Sequence, residues 1–323
     1  MVTTIERIEA DDDENFALFH DVYVRALDRD VDQPYTAQEK RVGMRPDEYV
    51  DKVMLLARDD DGAAVAGGTV ELPLRDNTGF AYVDVFTAPE HRRRGHGAAV
   101  MEAIEGIGRD ADRSTLYGEA VWEQVAVNPA SQAFAESVGF TLDIMDAMRE
   151  LPLPATLPSL EVADGYTIHT WRDACPDRWA QGYTDLRQLI NEEAPSGNAA
   201  LENEFWDIAR TRAEERMWAE QGRTPQVSIA VSQGGEVVGH TQLLFSAGSP
   251  NVFQWDTLVL PTHRGHGLGL ALKVTTMQEA ADLLEGRRRI ITYNAAGNEA
   301  MIRVNKALGF RQTAWVGEYV KAL

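Results

Sequence analysis

Apolar positions recur every third or fourth residue over 13–26, with Phe16, Phe19 and Val22 on one face, and this spacing predicts an amphipathic helix. Residues 3–8 read as a strand before it. Within 35–52, Pro46 followed by Asp47 and Glu48 has the chemistry of a helix start, so a short second helix is expected there. Residues 54–57 and 65–74 are apolar runs joined through Asp59-Asp60-Asp61-Gly62, the composition of a hairpin turn. A strand over 80–87, a helix over 97–107 and a strand over 115–121 follow. Asn128-Pro129 opens another helix, which ends on Gly139-Phe140, where glycine suits the left-handed backbone that closes a helix. Residues 141–150 are strand-rich.

From Tyr166 the same order begins again. A strand runs to Trp171, helices are expected over 179–191 and 203–220, and a hairpin of 226–232 and 237–245 turns on Gln233-Gly234-Gly235. A strand over 251–260, a helix over 267–284, a strand over 289–293 and a helix over 299–308 complete it, again closing on Gly309-Phe310. A shift of 172 positions carries Gly67 to Gly239, Thr69 to Thr241, Asp84 to Asp256, Pro89 to Pro261, His91 to His263 and Arg92 to Arg264. Past the central helix a shift of 170 carries Asn128 to Asn298 and Gly139-Phe140 to Gly309-Phe310. Identities in register at this period point to duplication of one α/β unit. Residues 152–165, with Pro152, Pro154 and Pro158 and few periodic apolar positions, read as the linker between repeats over 1–151 and 166–323.

Each repeat centres on a strand that enters a Pro, then an Arg, then two glycines one residue apart, then a helix: Pro89 to Gly97 in the first, Pro261 to Gly269 in the second. A Gly-rich turn between strand and helix gathers backbone N–H groups at the positive end of the helix dipole, a site for phosphate. Other phosphate motifs fail on spacing. No Gly-x-x-x-x-Gly-Lys-Ser/Thr run exists, and the dinucleotide fingerprint needs a third glycine where Val100 and Leu270 stand.

Composition narrows the classes. With 323 residues, two domains are expected, and 44% hydrophobic with 25% charged residues is an ordinary globular balance. The formal net charge of −20 argues against a general nucleic-acid surface, which needs clustered Lys and Arg, and suits solubility or a cationic acceptor. Cys175 is the lone cysteine, and the ligand residues show no metal spacing, so neither a disulfide nor a structural metal is expected. The N-terminus lacks a basic stretch followed by an apolar one and no long apolar run occurs, so a cytoplasmic protein without a membrane span is expected.

Arg-x-x-Gly-x-Gly after a strand, followed by an Asn, a helix and Gly-Phe, resembles the GCN5-related N-acetyltransferase (GNAT) superfamily in both halves and over nearly the whole chain. The layout is similar to two-domain acetyltransferases of the mycothiol synthase type. The resemblance implies an α/β fold of two tandem domains, each a mixed, mostly antiparallel central sheet flanked by helices. It also implies acetyl-CoA as acyl donor and no metal. The pyrophosphate would lie on backbone N–H groups of Arg93, Arg94, Gly95, His96, Gly97 and Ala98, and of Gly265, His266, Gly267, Leu268, Gly269 and Leu270, beside the motif residues Arg92 and Arg264. The pantetheine arm would pair like a strand with Val85, Phe86 and Thr87, and with Thr257, Leu258 and Val259, where a backbone N–H would polarise the thioester carbonyl. Asn128 and Asn298 match the Asn that helps hold the cofactor in this superfamily; each could equally serve as a helix N-cap.

The chemistry so implied is direct attack by a primary amine on acetyl-CoA in a ternary complex. A base must take the ammonium proton, and Asp84 and Asp256, eight residues before the motif Arg, are the candidates, as bases or acceptor-binding groups or, equally, as carboxylates paired with a neighbouring Arg. The superfamily's acid, a Tyr four residues before the late Gly, is replaced by Ala135 and Asn305, leaving Tyr293 and Tyr319 as substitutes or a thiolate that departs unassisted. The second half is expected to be the active one. Its Gln254-Trp255-Asp256-Thr257 strand is the more polar, and Asn191-Glu192-Glu193-Ala194-Pro195 with residues 202–206 could line a pocket for a small cationic amine, or form a solvated acidic face. The first half would bind the donor without turnover. The rival reading is a silent acyl-CoA binding or interaction module. Either would be a monomer or a homodimer.

Overall fold

The computed structural model describes residues 2–127, 129–190, 197–199 and 201–323. They fall into two compact units, one of Met1–Met145, Gly197–Glu202 and Ala314–Leu323, the other of Asp146–Ser196 and Asn203–Thr313. Each unit therefore takes most of one repeat and the closing strand of the other.

The first unit begins with β1 (Thr4–Ile8) and helix α1 (Asp13–Ala26). Asp12 caps α1 by accepting the Asn15 N–H at 3.1 Å, which satisfies one of the free donors of the first turn. Phe16, Phe19 and Val22 are buried, as their spacing predicts, and Phe19 meets Phe86 edge-on with ring centres 5.1 Å apart. Burying each such side chain is worth about 1.5–3 kcal/mol. The second helix lies earlier than expected. It is α2 (Ala37–Gly43), started by Thr36, whose hydroxyl accepts from Glu39 N–H while Glu39 reaches back to the Thr36 N–H, and Pro46 follows it. The capping box decides the start.

Strands β2 (Val50–Arg58), β3 (Ala64–Pro73) and β4 (Phe80–Thr87) form an antiparallel meander, and β4 runs parallel to β5 (Thr115–Glu123) because α3 (His96–Asp110) crosses between them. Helices α1 and α2 cover one face and α3 the other, so the unit has a core on each side of its sheet. After α4 (Ala130–Ser137) the chain enters β6 (Thr141–Pro152). The sheet order is β1-β2-β3-β4-β5, then the C-terminal strand, whose Ala314–Ala322 stretch pairs antiparallel with Thr115–Glu123.

The second unit repeats this plan with β7 (Tyr166–Arg172), α5 (Asp177–Gln188), α6 (Ile208–Glu220), β8 (Arg223–Ser232), β9 (Val237–Ser246) and β10 (Asn251–Val259). Helix α7 (Leu268–Glu279) leads through the short α8 (Ala281–Leu284) to β11 (Arg289–Ala295), α9 (Glu299–Leu308) and β12 (Arg311–Ala322). Its sheet order is β6-β11-β10-β9-β8-β7, with Asp146–Pro152 of β6 antiparallel to β11. A buried Glu150 ties this edge together, accepting from Arg289 at 2.7 Å and from Arg311 at 2.9 Å. Two expectations shift here. The helix over 267–284 divides after Glu279, and only Ile208–Glu220 of 203–220 is helical, because Asp207 caps it by accepting from Arg210 N–H at 2.8 Å.

Candidate functional site

In both units the turn after the central strand has the predicted form. Arg93 (φ 63°) and Gly95 (φ 91°) precede α3, and Gly265 (φ 86°) and Gly267 (φ 71°) precede α7. Alternating left-handed residues turn successive N–H groups to one side, at the N-terminus of a helix of twelve or more residues. A Cβ built on Gly95, Gly265 or Gly267 would meet nothing within 4 Å, so an anion has room to approach the backbone. Gly97 is tighter than its counterpart: its Cβ would lie 3.2 Å from Thr87 Oγ1 and 3.3 Å from the Phe134 ring, whereas that of Gly269 has only Val304 at 3.9 Å. Both turns fit a pyrophosphate, and the one in the second unit is the more open.

The side chains around the turns do other work. Arg92 and Arg264 donate back to Thr87 O at 3.1 Å and Val259 O at 3.0 Å, fixing the turn to its own strand. His96 is buried with Nδ1 on Thr3 Oγ1 at 2.9 Å, and its desolvation lowers its pKa; Leu268, which holds the same place in the second turn, is also buried. These two offer a phosphate only their backbone. Arg93, Arg94 and His266 are exposed, His266 against Tyr166 with ring centres 5.4 Å apart. Asn298 caps α9, its Oδ1 accepting from Met301 N–H at 3.2 Å. Asn128 and the stretch Asn191 to Pro195 lie outside the described residues.

Beyond the turn each sheet opens. Strands β4 and β5 pair only from Phe80 and Thr115 to Val83 and Gly118, and β10 and β11 only from Asn251 and Arg289 to Phe253 and Ile291. A wedge therefore lies beside Val85, Phe86 and Thr87 in the first unit and beside Thr257, Leu258 and Val259 in the second. The two wedges differ in one respect that the repeat conceals. In the first unit the β3–β4 ladder is regular and Asp84 stands opposite Thr69. In the second, Gln254 pairs with Leu243 and Thr257 with Thr241, so Trp255 and Asp256 together face Gln242, a β-bulge. The bulge re-aims Asp256.

Asp256 points to the face covered by α5 and α6. Its Oδ2 is 3.9 Å from Arg187, whose buried guanidinium is clasped by Glu214 and stacks 4.1 Å over the Trp206 ring. Burial raises the Asp256 carboxyl to about 6, the attraction of Arg187 opposing and Glu214 and Glu204 adding to the rise. The side chain keeps 24% of its exposure, which leaves an edge open to substrate. Burial works against the Arg187 charge, but Glu214 outweighs it and keeps the guanidinium ionised.

Next to this pair, Tyr183 donates to Gln242 Oε1 at 2.8 Å and meets His240 edge-on. His240 is completely buried and held neutral, its pKa pulled down to about 3 by burial and by Arg187. Both its ring nitrogens and Gln242 Nε2 lack hydrogen-bond partners among the described residues. Unpaired buried polar atoms cost about 1–3 kcal/mol each, so the second unit carries an energetic cost behind Asp256. The corresponding positions of the first unit, Gly68 and Val70, carry no such groups.

Of the other predicted residues, Asp84 is exposed on its regular strand, and Tyr293 is exposed on β11, where the wedge opens. Tyr319, expected as a substitute acid in the second half, is not placed there. It belongs to the first unit through the closing strand, is 1% exposed, and its desolvated hydroxyl has a raised pKa. Tyr183, Arg187, Glu214, His240 and Gln242 escaped sequence reasoning because they come from three elements. The one available signal was the polar run His240-Thr241-Gln242 in a strand that should be apolar on both faces. Among the described residues no cluster of three His, Cys, Asp or Glu could hold a metal, and no helix is long and apolar enough to cross a membrane.

Known proteins match this arrangement twice over. The family model described as the acetyltransferase (GNAT) family matches residues 14–140 and again 184–310. Mycothiol acetyltransferase of Acidothermus cellulolyticus is 26% identical over 272 residues, covering 80% of this chain and 76% of that protein. The mycothiol acetyltransferase of Mycolicibacterium gilvum is 27% identical over 270 residues, covering 79% of each. Among solved structures, a tandem GNAT protein from the clavulanic acid biosynthesis pathway superposes with a TM-score of 0.83 at 25% identity, covering 99% of this chain and 98% of that one. A GCN5-related N-acetyltransferase from Sphaerobacter thermophilus shares the fold, with a TM-score of 0.71 at 15% identity over 99% of this chain and 95% of its own.

Proposed function

Since the chain belongs to the acetyltransferase (GNAT) family, we propose that its second repeat, 166–323, transfers an acetyl group from acetyl-CoA to a primary amine of a small cationic molecule, while the first repeat, 1–151, binds the donor without turnover. One observation carries this reading: only the second unit combines the open Gly265 and Gly267 turn with a bulge that sets a carboxylate of raised pKa beside the wedge. Acetyl-CoA, when bound, supplies the activated acyl group. Backbone N–H groups from Gly265 to Leu270 would hold its pyrophosphate, and Thr257, Leu258 and Val259 would pair with its pantetheine arm and direct an N–H at the thioester carbonyl.

On the opposite face Asp256 receives the ammonium, with the exposed Trp255 ring beside it to shield the cation. An alkylammonium has no lone pair to attack with. Asp256, poised near neutrality, takes its proton directly or through one water, while Arg187 and Glu214 fix it from the buried side. Removing the base while keeping its shape tests this reading. With acetyl-CoA and a panel of small amines, Asp256→Asn should lower kcat about 10²-fold or more. Unchanged turnover in that variant would take the base role away from Asp256, and no turnover of any amine by the wild type would leave the chain an acyl-CoA binding module.

A further inference from the structure

Lys273 lies in the middle of α7 and is 1% exposed, and no carboxylate pairs with it among the described residues. A buried ammonium without an anion is costly, and burial alone pulls its pKa down to about 7. Its hydrogen bond goes to Asn305 Oδ1 at 2.8 Å, and Asn305 Nδ2 then bonds Asn294 Oδ1 at 2.6 Å. Ammonium donates only, so it fixes the orientation of both amides: oxygen toward Lys273, N–H groups away. Every donor in the chain points outward.

The outward end is at the wedge. Asn294 is partly exposed on β11, past Ile291, where β10 and β11 have ceased to pair. The other polar groups that β9, β10 and β11 turn to this layer are Thr241, Gln254, Thr257 and Thr292, none of them ionisable. Arg149, opposite Thr292 on β6, is a second buried cation, also without an acid partner among the described residues. On the face covered by α7 these two buried positive charges have no negative partner among the described residues, whereas Asp256 lies on the opposite face with Arg187. The first unit has no such arrangement, since Met101 replaces Lys273 and Ala135 replaces Asn305.

We propose that Lys273, Asn305 and Asn294 form an oriented donor chain that stabilises the thiolate set free in the wedge of the second unit, with Lys273 as a positioning residue. This rests on the acetyl-transfer reading above. In the balanced step the ammonium first gives one proton through Asp256 to solvent; the amine nitrogen then forms the new C–N bond, and its second proton goes to the freed Asp256. The C–S bond breaks, and its electron pair stays on sulfur. Amides cannot supply a proton, so the chain supports the sulfur anion with an N–H dipole backed by a positive charge. It thereby takes the place left by the missing Tyr.

The test needs no acceptor. Coenzyme A and its desulfo analogue are bound to the full chain carrying Gly97→Glu, which blocks the turn of the first unit, and ionisation of the thiol bound in the second unit is followed by thiolate ultraviolet absorbance against pH. The bound thiol should ionise about one pH unit or more below its ordinary value, that of free coenzyme A titrated alongside, and return toward it in Lys273→Met and in Asn294→Ala. Met101 shows that Met fits this helix position, and Asn294 lies at the partly exposed end, so at least one variant is expected to fold. A bound thiol that ionises at the ordinary value, or one unmoved in both folded variants, overturns the proposal. If the thiol shifts but no amine is acetylated, the acetyl-transfer reading fails and the donor chain stands. Turnover with an unshifted thiol gives the reverse, and no coenzyme A binding sinks both.

Discussion

Asp256 Oδ2 lies 3.9 Å from a guanidinium nitrogen of Arg187 that is itself held by Glu214. Burial raises the Asp256 carboxyl to about 6, and Arg187, a cation it shares with Glu214, opposes that rise only in part. A base must be unprotonated to act, so kcat/KM should rise with pH through about 6 and level off above it. A pH profile of the wild type checks this, and Asp256→Asn should lose that limb along with most of the rate.

Glu214→Gln removes a repulsion from Asp256 and frees Arg187 for it. The acid limb should move to lower pH. The change also leaves Arg187, whose side chain is 4% exposed, without its main counter-charge, at a cost of about 3–5 kcal/mol. Urea unfolding measures the second effect and the pH profile the first.

Lys273 links stability to pH. Its folded pKa of about 7 lies below the unfolded value near 10.5, so between these values the unfolded chain binds more protons and stability increases with pH. The slope from this group is on the order of 1 kcal/mol per pH unit. Lys273→Met should remove it and be the more stable protein at pH 7, as read from unfolding at pH 7 and pH 9.

Gly267 has φ 71° and open space where a Cβ would stand. Gly267→Ala meets only the backbone cost of a left-handed residue, about 1 kcal/mol, and the added methyl group stands where phosphate would approach. Acetyl-CoA affinity of the second unit should fall roughly tenfold, the equivalent of 1.4 kcal/mol, by isothermal titration.

The fold was largely legible because its signals are local: the period of Phe16, Phe19 and Val22, the turn before each central helix, and the Gly-Phe pairs recur at a fixed shift. What escaped is non-local. The destination of the strand carrying Tyr319 depends on which sheet it completes, and nothing within that strand states it. The bulge at Trp255 and Asp256 is a matter of ladder register, invisible when Asp84 and Asp256 align residue for residue. Arg187 and Glu214 come from different helices, and Lys273 resembles any lysine of an amphipathic helix until its neighbours are placed.

Two aspartates stand at the same place in the repeat, and only Asp256 lies in a bulge. The decisive measurement is coenzyme A release from acetyl-CoA across an amine panel by Asp84→Asn and Asp256→Asn, side by side. Asp84→Asn should keep the wild-type rate and Asp256→Asn should lose about 10²-fold or more. Loss in Asp84→Asn with Asp256→Asn unaffected would place the chemistry in the first unit and contradict the role given to the bulge.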